Sequence, residues 1–503
     1  MPVVTFESFS GERGALSSWR DQRLFTGSDV MIQVDGALTA RPGFEVPFPL
    51  EWDEGTMADA SVLGIGVGDG TGNAQFPRFE HLWFLVGNAL YAWEGVDGAE
   101  PQFVDSLAAV PTQRCVSVRQ GASVWITSPG EGVYRYQVST AGVTLTKMDN
   151  VVPGPAFAVW QGVEVCAGAA SGTVTPGSHR IFWSDLPGEW PVTPNFTAVG
   201  DEGSAIVGLF VLRNQLFVAK DDGSWWVVTG TLSTTYDPEA RFYVRDVART
   251  QYPLAAQYAG HVNESFITFS PATGGLPVIF NGSQFTEVRH LVDSALTGAD
   301  VLGGSGLGDV LMHKDGTAYF YQSGSWVKLT VPDAHAALYR RPQTNAQVFA
   351  WVTDPVTDTE VSPKVYMMAS DPMPGPSSTL ATESVTVPST VTLAEVVGEG
   401  LIKPQYVHID YTRIATTDPS VSGFDVTVRP TRYPAADGLT ADPSPETVDR
   451  TRVETRIAGR YRETINLGAL PASWAWEVTI APLAGVAIHR VGVDYTDEGQ
   501  ARV

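Results

Sequence analysis

Cysteine is nearly absent from the 503 residues: Cys115 and Cys166 are the whole complement. Both sit in apolar, strand-like surroundings. That excludes a disulfide scaffold and predicts buried free thiols in a chain made in a reducing cytoplasm. Histidine is sparse too. His81, His179, His261, His290, His313, His335, His408 and His489 include no pair at metal-ligand spacing, so neither a metal centre nor a cofactor is expected. No apolar run reaches the ~18–20 residues of a membrane-spanning helix. The opening MPVVTFESFSGERG has no basic-then-apolar leader, so the triplets at Asn195, Asn263 and Asn281 carry no weight as glycan acceptors.

Positive charge is also short: 32 Lys and Arg stand against 55 Asp and Glu, a net of −23. This excludes a sequence-independent grip on DNA, which needs cations against phosphates. It is compatible with an acidic wall past which DNA slides, felt over the ~8–10 Å that physiological salt permits. The plainer explanation is a coat that keeps a large β protein soluble.

Helical periodicity is scarce. One window, Val288, Leu291, Val292, Ala295 and Leu296, predicts a helix ending at Gly298. Catalytic groupings are scarce as well, with no Gly-x-Ser-x-Gly elbow. The alternating Gly64, Gly66, Gly68, Gly70 and Gly72 lack nucleotide-loop spacing and predict a flexible hairpin. No enzyme activity is expected.

What the chain has is short strands and turns. Ile181-Phe182-Trp183 stops at Pro187-Gly188. Then Ala205 to Phe210, Gln215 to Ala219 and Trp225 to Val228 are separated by Arg213-Asn214 and Asp221-Asp222-Gly223. Short strands joined by tight turns make an antiparallel meander. Loose copies at 87–95, 277–285 and 318–326 follow the same form. Similarity at spacings of about 40–45 residues marks a blade repeat. The expected fold is mainly β, a β-propeller of six or seven blades plus a C-terminal β-sandwich-like domain. Units begin near His81, Cys115, Phe157, Ala205, Ala255, Val310 and Ala337. The expected boundaries are an N-terminal arm and first hairpin at 1–45, the propeller at 46–371, a linker at 372–383, and the second domain at 384–503. That last stretch alternates apolar and polar residues in six segments, the first at 384–387.

Asp221-Asp222-Gly223-Ser224-Trp225-Trp226 resembles the Asp-box turn of sialidase-like propellers, with Asp221, Gly223 and Trp226 on the pattern and Ala219 where Ser is usual. Such a turn is a structural staple and not a catalytic one. Other residues resemble the nozzle (tail tubular) proteins of short-tailed bacteriophages. They are Asp35-Gly36-Ala37-Leu38 with Arg41-Pro42-Gly43; Arg180 to Asp185 with Trp190, Ile206 to Leu209 and Leu216 to Val218; and Val486 to Val491 with Val493-Asp494-Tyr495. The resemblance implies a virion protein made in the host cytoplasm. It implies a homohexameric ring around a DNA channel, touching an adaptor or tube ring above and fibres at the side, with no catalytic residues. In such a ring Asp201, Glu202, Asp221, Asp222 and Asp315, all in blade turns, are candidates to line the channel. Arg450, Arg452, Arg456, Arg460 and Arg462 form a basic cluster that could dock an acidic neighbour; a solvated strand face is the plainer alternative. The rival functions are a receptor- or glycan-binding propeller using Trp225 or Trp326 as a platform, and a sialidase-like hydrolase. The first requires exposed indoles, whereas Trp at blade-strand ends is expected to be core.

Overall fold

The computed structural model describes residues 3–7, 11–12, 24–28, 30–32, 37–40, 44–45, 61–69, 80–93, 99–111, 115–121, 123–128, 131–139, 142–151, 154, 156–167, 178–249, 260–262, 265–269, 277–287, 300–303, 310–314, 316–322, 325–331, 335–340, 347–352, 365–368, 390–393, 396–413, 423–432, 446–448, 458–467, 472–484 and 486–499. The helix expected at 288–298, the strand expected at 384–387 and the linker at 372–383 lie outside these residues.

Among the described residues, seven four-stranded antiparallel sheets follow one another along the chain. Six are built from consecutive strands, beginning at Val62, Val116, Ala156, Ile206, Gly260 and Asp300. The seventh takes His335–Arg340, Gln347–Val352 and Val365–Met368, and its outer strand is Phe44–Glu45 from the other end of the propeller. The first strands of neighbouring blades approach one another and form the inner wall. This is a seven-bladed β-propeller. Its cores lie between blades, as when Val62, Phe84 and Trp93 of the first blade pack with Ala350, Val352 and Val365 of the seventh.

Val62–Asp69 is a regular inner strand, where a flexible hairpin was expected. Its alternating glycines have a packing cause. A Cβ on Gly66 would come within 2.5 Å of the Trp83 ring, and one on Gly68 would collide with His81. The bare face of the strand lets large rings lie flat across it.

Each blade meander follows its turn chemistry. Arg213 and Asn214 both take positive φ, at 49° and 58°, as a two-residue hairpin requires. Ile206–Leu212, Gln215–Lys220 and Ser224–Gly230 are then joined by a fourth strand, Phe242–Arg249. Arg180–Trp183 belongs to the third blade. Cys115 and Cys166 are buried and form no disulfide.

A twelve-stranded sheet makes the second, β-sandwich-like body. Its long strands are Val396–Arg413, Gly423–Arg432, Gly459–Asn466, Ser473–Ala484 and Val486–Gly499. The N-terminal strands join it. Val3–Glu7 and Leu38–Ala40 pair with Val486–Gly499, and Leu24–Ser28 pairs with Thr390–Leu393. Phe6, Val30 and Leu38 therefore sit in one core with Val407, Trp476 and Val491. The same core takes in Leu329 and Val331 from the sixth blade and Trp351 from the seventh, so the two bodies share buried apolar contacts.

Candidate functional site

Three polar assemblies stand out among the described residues. The first surrounds Lys220, the last residue of its strand and 1 % exposed. Its Nζ donates to the carbonyls of Val199 (3.0 Å) and Asp201 (2.7 Å). Burial lowers its pKa, opposed by the negative charge of Asp222, Asp201 and Asp221. Asp221 Oδ1 accepts the Ala205 N–H at 2.9 Å. Asp222 Oδ1 accepts from the Ser224 N–H and hydroxyl, at 2.9 and 2.6 Å. Burial pushes the Asp222 carboxyl up, but the bonds from Ser224 and Ser204 and the charge of Lys220 outweigh it and hold the group below its ordinary value. Glu202 faces solvent, 3.7 Å from His179. The structure thus brings Asp201, Glu202, Asp221 and Asp222 to one end of the third and fourth blades, in connections and not on the inner strands. Asp315 lies outside the described residues. The Asp-box pattern sets Asp221 and Trp226 in the key places, but in the structure Asp222 closes the turn, and the fully buried indole is Trp225 while Trp226 is half-buried. Trp225 therefore offers no sugar platform. The side chain of Trp326 is not among those described.

The second assembly is a platform of two loops, 184–194 of the third blade and 231–241 of the fourth. Pro187 and Gly188, with φ +78° at the glycine, turn the first loop, and Glu189 N–H donates to Leu186 O at 2.9 Å. Two buried carboxylates hold it. Glu164 accepts from the Ser184 hydroxyl at 2.5 Å and from the Gly188 N–H at 3.0 Å. Burial raises its pKa against these bonds. Asp185 accepts from Asn195 Nδ2 (2.8 Å), and from the N–H (2.8 Å) and hydroxyl (2.5 Å) of Thr235 in the second loop. Burial would raise the Asp185 carboxyl, but the bonds from Thr235 and Asn195 dominate and keep it low. Trp183 Nε1 donates to Ser233 O at 2.7 Å, a second tie between the loops. No sequence motif marked Glu164; only its place between Val163 and Val165 at the start of an apolar strand hinted at burial.

Glu164→Ala is expected to cost about 3 kcal/mol, because the Gly188 N–H and Ser184 hydroxyl lose their acceptor. Glu164→Gln, which can serve both, is expected to cost less than about 1 kcal/mol. The wild-type group binds its proton more tightly folded than unfolded. Its contribution is therefore complete below the ordinary value near 4.5 and is lost as pH rises through the raised folded value. Denaturant titrations of the Gln variant across pH should lack that slope.

The third assembly is a ladder of charge on the exposed face of the C-terminal sheet. Arg462 grips Asp410 with two bonds, 2.5 and 2.8 Å. The Arg462 hydrogen bond holds the Asp410 carboxyl down, helped by the charges of Arg462, Arg490 and Arg460. Arg490 pairs with Glu7 at 3.4 Å. His408 bridges Thr464 (2.9 Å) and Asp494 (3.2 Å). The alternating burial of Gly459–Asn466 places Arg460, Arg462, Thr464 and Asn466 outward. Arg450, Arg452 and Arg456 fall outside the described residues.

Among the described residues no cluster of three or more His, Cys, Asp or Glu could hold a metal, and no helix is long and apolar enough to cross a membrane. No family model matches the chain, and no curated protein matches it. Solved structures do match at the level of fold. BamB from Moraxella catarrhalis is 14% identical with a TM-score of 0.37, covering 69% of this chain and 100% of its own. YCF48 bound to D1 peptide is 12% identical with a TM-score of 0.39, covering 66% and 100%. The Neurospora crassa Pan2 WD40 domain is 12% identical with a TM-score of 0.39, covering 64% and 98%. The chain is a β-propeller protein with an added β-domain; these likenesses extend no further than architecture.

Proposed function

We propose that the protein is a non-enzymatic structural subunit of a bacteriophage tail, the nozzle or tube end, which assembles as a ring and contains and conducts DNA during ejection. The observation that carries this is the double closure of the chain. Phe44–Glu45 seals the propeller, and strands from both chain ends share one sheet whose core continues into the sixth and seventh blades. A body tied in this way transmits force without opening a seam. The resemblance of Arg180 to Asp185 to the central blade of tail nozzle proteins, and of Val486 to Val491 to the last strands of virion β-domains, supplies the setting, a homohexamer stacked against an adaptor ring with fibres at its side. The net charge of −23 suits a wall that repels phosphate.

Electron microscopy of native particles, averaged for rotational symmetry, tests it. A sixfold ring with a hole of about 20 Å or more, wide enough for duplex DNA judging from its groove dimensions, is the expected result. A monomer or a peripheral trimer in native particles overturns it in favour of a receptor- or glycan-binding propeller. Glu202 is the cleanest acid to swap, because its side chain is 85% exposed. Glu202→Lys is expected to slow DNA ejection in a single-particle assay, and an unchanged rate removes Glu202 from the channel.

A further inference from the structure

We propose that the C-terminal sheet carries a binding site for an oxyanion, a phosphate-like or carboxylate group, centred on the guanidinium of Arg413. The site would serve a monomer and a ring equally, so it stands independently of the tail function.

Arg413 is the last residue of the strand Val396–Arg413 and is only 6% exposed. Val407, Ile409 and Tyr411 precede it at every second position, and all three lie in the shared core. Strand alternation carries Arg413 onto the same inward face. Its cross-strand neighbours are Gly459 on one side and Val486 on the other, and neither has an acceptor side chain. Its Nε is buried with no hydrogen-bond partner, and among the described residues no carboxylate pairs with the guanidinium. Three other arginines of the sheet show the reverse. Arg462 holds Asp410, Arg490 holds Glu7 and Arg429 holds Glu477, and all three side chains are exposed. Pairs at the surface contribute little. Burying an unpaired charge is costly, and an arginine, unlike a lysine, cannot escape by losing its proton. The arginine of this sheet that gains most from an anion is the one for which the chain supplies none.

The surroundings suit an oxyanion. Gly459, directly opposite, fills no space with a side chain. A Cβ there would make ordinary contact, with the Tyr461 ring and hydroxyl nearest at 3.6 Å. The Tyr461 hydroxyl therefore borders the same space and is placed to donate to a bound anion. Its ring leans on Tyr411, 5.8 Å between centroids, and Tyr411 meets Phe424 edge-on at 5.2 Å. This apolar wall strengthens an ionic hydrogen bond by excluding water. The guanidinium fork matches two oxygens of one carboxylate or phosphate, which a spherical halide does not offer. Competing negative charge is distant or already held. Glu463, on the same face, stands opposite Ile409, four residues along from Gly459, about 13 Å at ~3.4 Å per residue. Asp410 points to the other face, where Arg462 grips it. Arg460, next to Gly459 and exposed, adds positive charge at the rim.

Thermal unfolding of the full-length protein tests this, in inorganic phosphate, sulfate or acetate, each matched in ionic strength with sodium chloride. A ligand of the folded state raises the melting temperature by mass action, with a concentration dependence set by its dissociation constant. The general stabilising effect of such salts is common to wild type and variants. Wild type is expected to gain more than Arg413→Met at every anion concentration, and the variant to need at least about ten times as much anion for the same specific rise. In chloride alone Arg413→Met is expected to melt at or above the wild-type temperature, because an apolar side chain suits a buried position with no partner in the chain. A specific rise in phosphate and sulfate identifies a tetrahedral oxyanion as the ligand, and a rise in acetate alone identifies a carboxylate. Equal rises for wild type and Arg413→Met in all three anions overturn the inference. An Arg413→Met variant that melts well below wild type in chloride, or fails to fold there, also overturns it, since the chain itself would then satisfy the guanidinium.

Discussion

Trp225→Ala is expected to lower the free energy of unfolding by about 3–5 kcal/mol, the range for removing a fully buried large aromatic. Trp225 has no exposed surface and sits where the fourth blade meets the fifth. Its ring stacks on Phe210, Phe266 and Phe280, with centroids 5.8, 5.6 and 5.1 Å away, and meets Phe285 edge-on at 5.2 Å. Alanine leaves a hole with these rings as its walls, and rings held by two separate sheets collapse into it poorly. Trp225→Phe keeps most of the stack. It also removes an indole N–H that has no acceptor, so its cost should be less than half that of alanine. Urea unfolding of both variants measures the difference. A loss below about 1 kcal/mol for the alanine variant would show that the two blades do not depend on this stack.

Removing residues 1–45 is expected to have a still larger effect and to abolish cooperative folding. The deletion takes the outer strand from the seventh blade and leaves the outer edge of Val365–Met368 unpaired. It strips Val3–Glu7 from the strand ending at Gly499. It also removes Phe6, Val30 and Leu38, all at most 1 % exposed, from the shared core. Burying such side chains contributes about 1.5–3 kcal/mol each, and three of them approach the whole stability of an ordinary domain. The truncated protein should be insoluble on expression or fully open to protease. A soluble truncation that melts like the parent would mean that the propeller closes without its borrowed strand.

Local features were legible from the residues. Strand identity came from alternation and β-branched or aromatic content, and the turns at Arg213-Asn214, Pro187-Gly188 and Asp221-Asp222-Gly223 came from residues that tolerate turn backbones. Val62–Asp69 was hidden because its glycines have no side chains from which to read a period, and its assignment depends on Trp83 and His81 lying across it. The destination of the N-terminal strands was hidden for another reason. Nothing in Val3 to Glu7 points to a partner nearly five hundred residues away. Glu164 and Asp185 were unmarked because buried carboxylates are exceptions to the pattern of polar residues outside, and their partners Gly188 and Thr235 are ordinary loop residues. The turns holding Asp201, Glu202, Asp221 and Asp222 could be located, but not the buried Lys220 ammonium that gathers them.

The pairing of Val3 with Asp494 also sets a clock on biosynthesis. The ribosome must add nearly the whole chain before the first strand meets its partner, roughly half a minute to two minutes at ~5–20 residues per second. Phe44–Glu45 waits about two thirds as long for Met367 and Met368. Blades one to six can form as they emerge, each from neighbouring strands, while the N-terminal strands wait unpaired on the nascent polypeptide. Such a segment keeps Phe6, Val30 and Leu38 out of their core until the last strands exist, which makes it an aggregation hazard on the nascent chain.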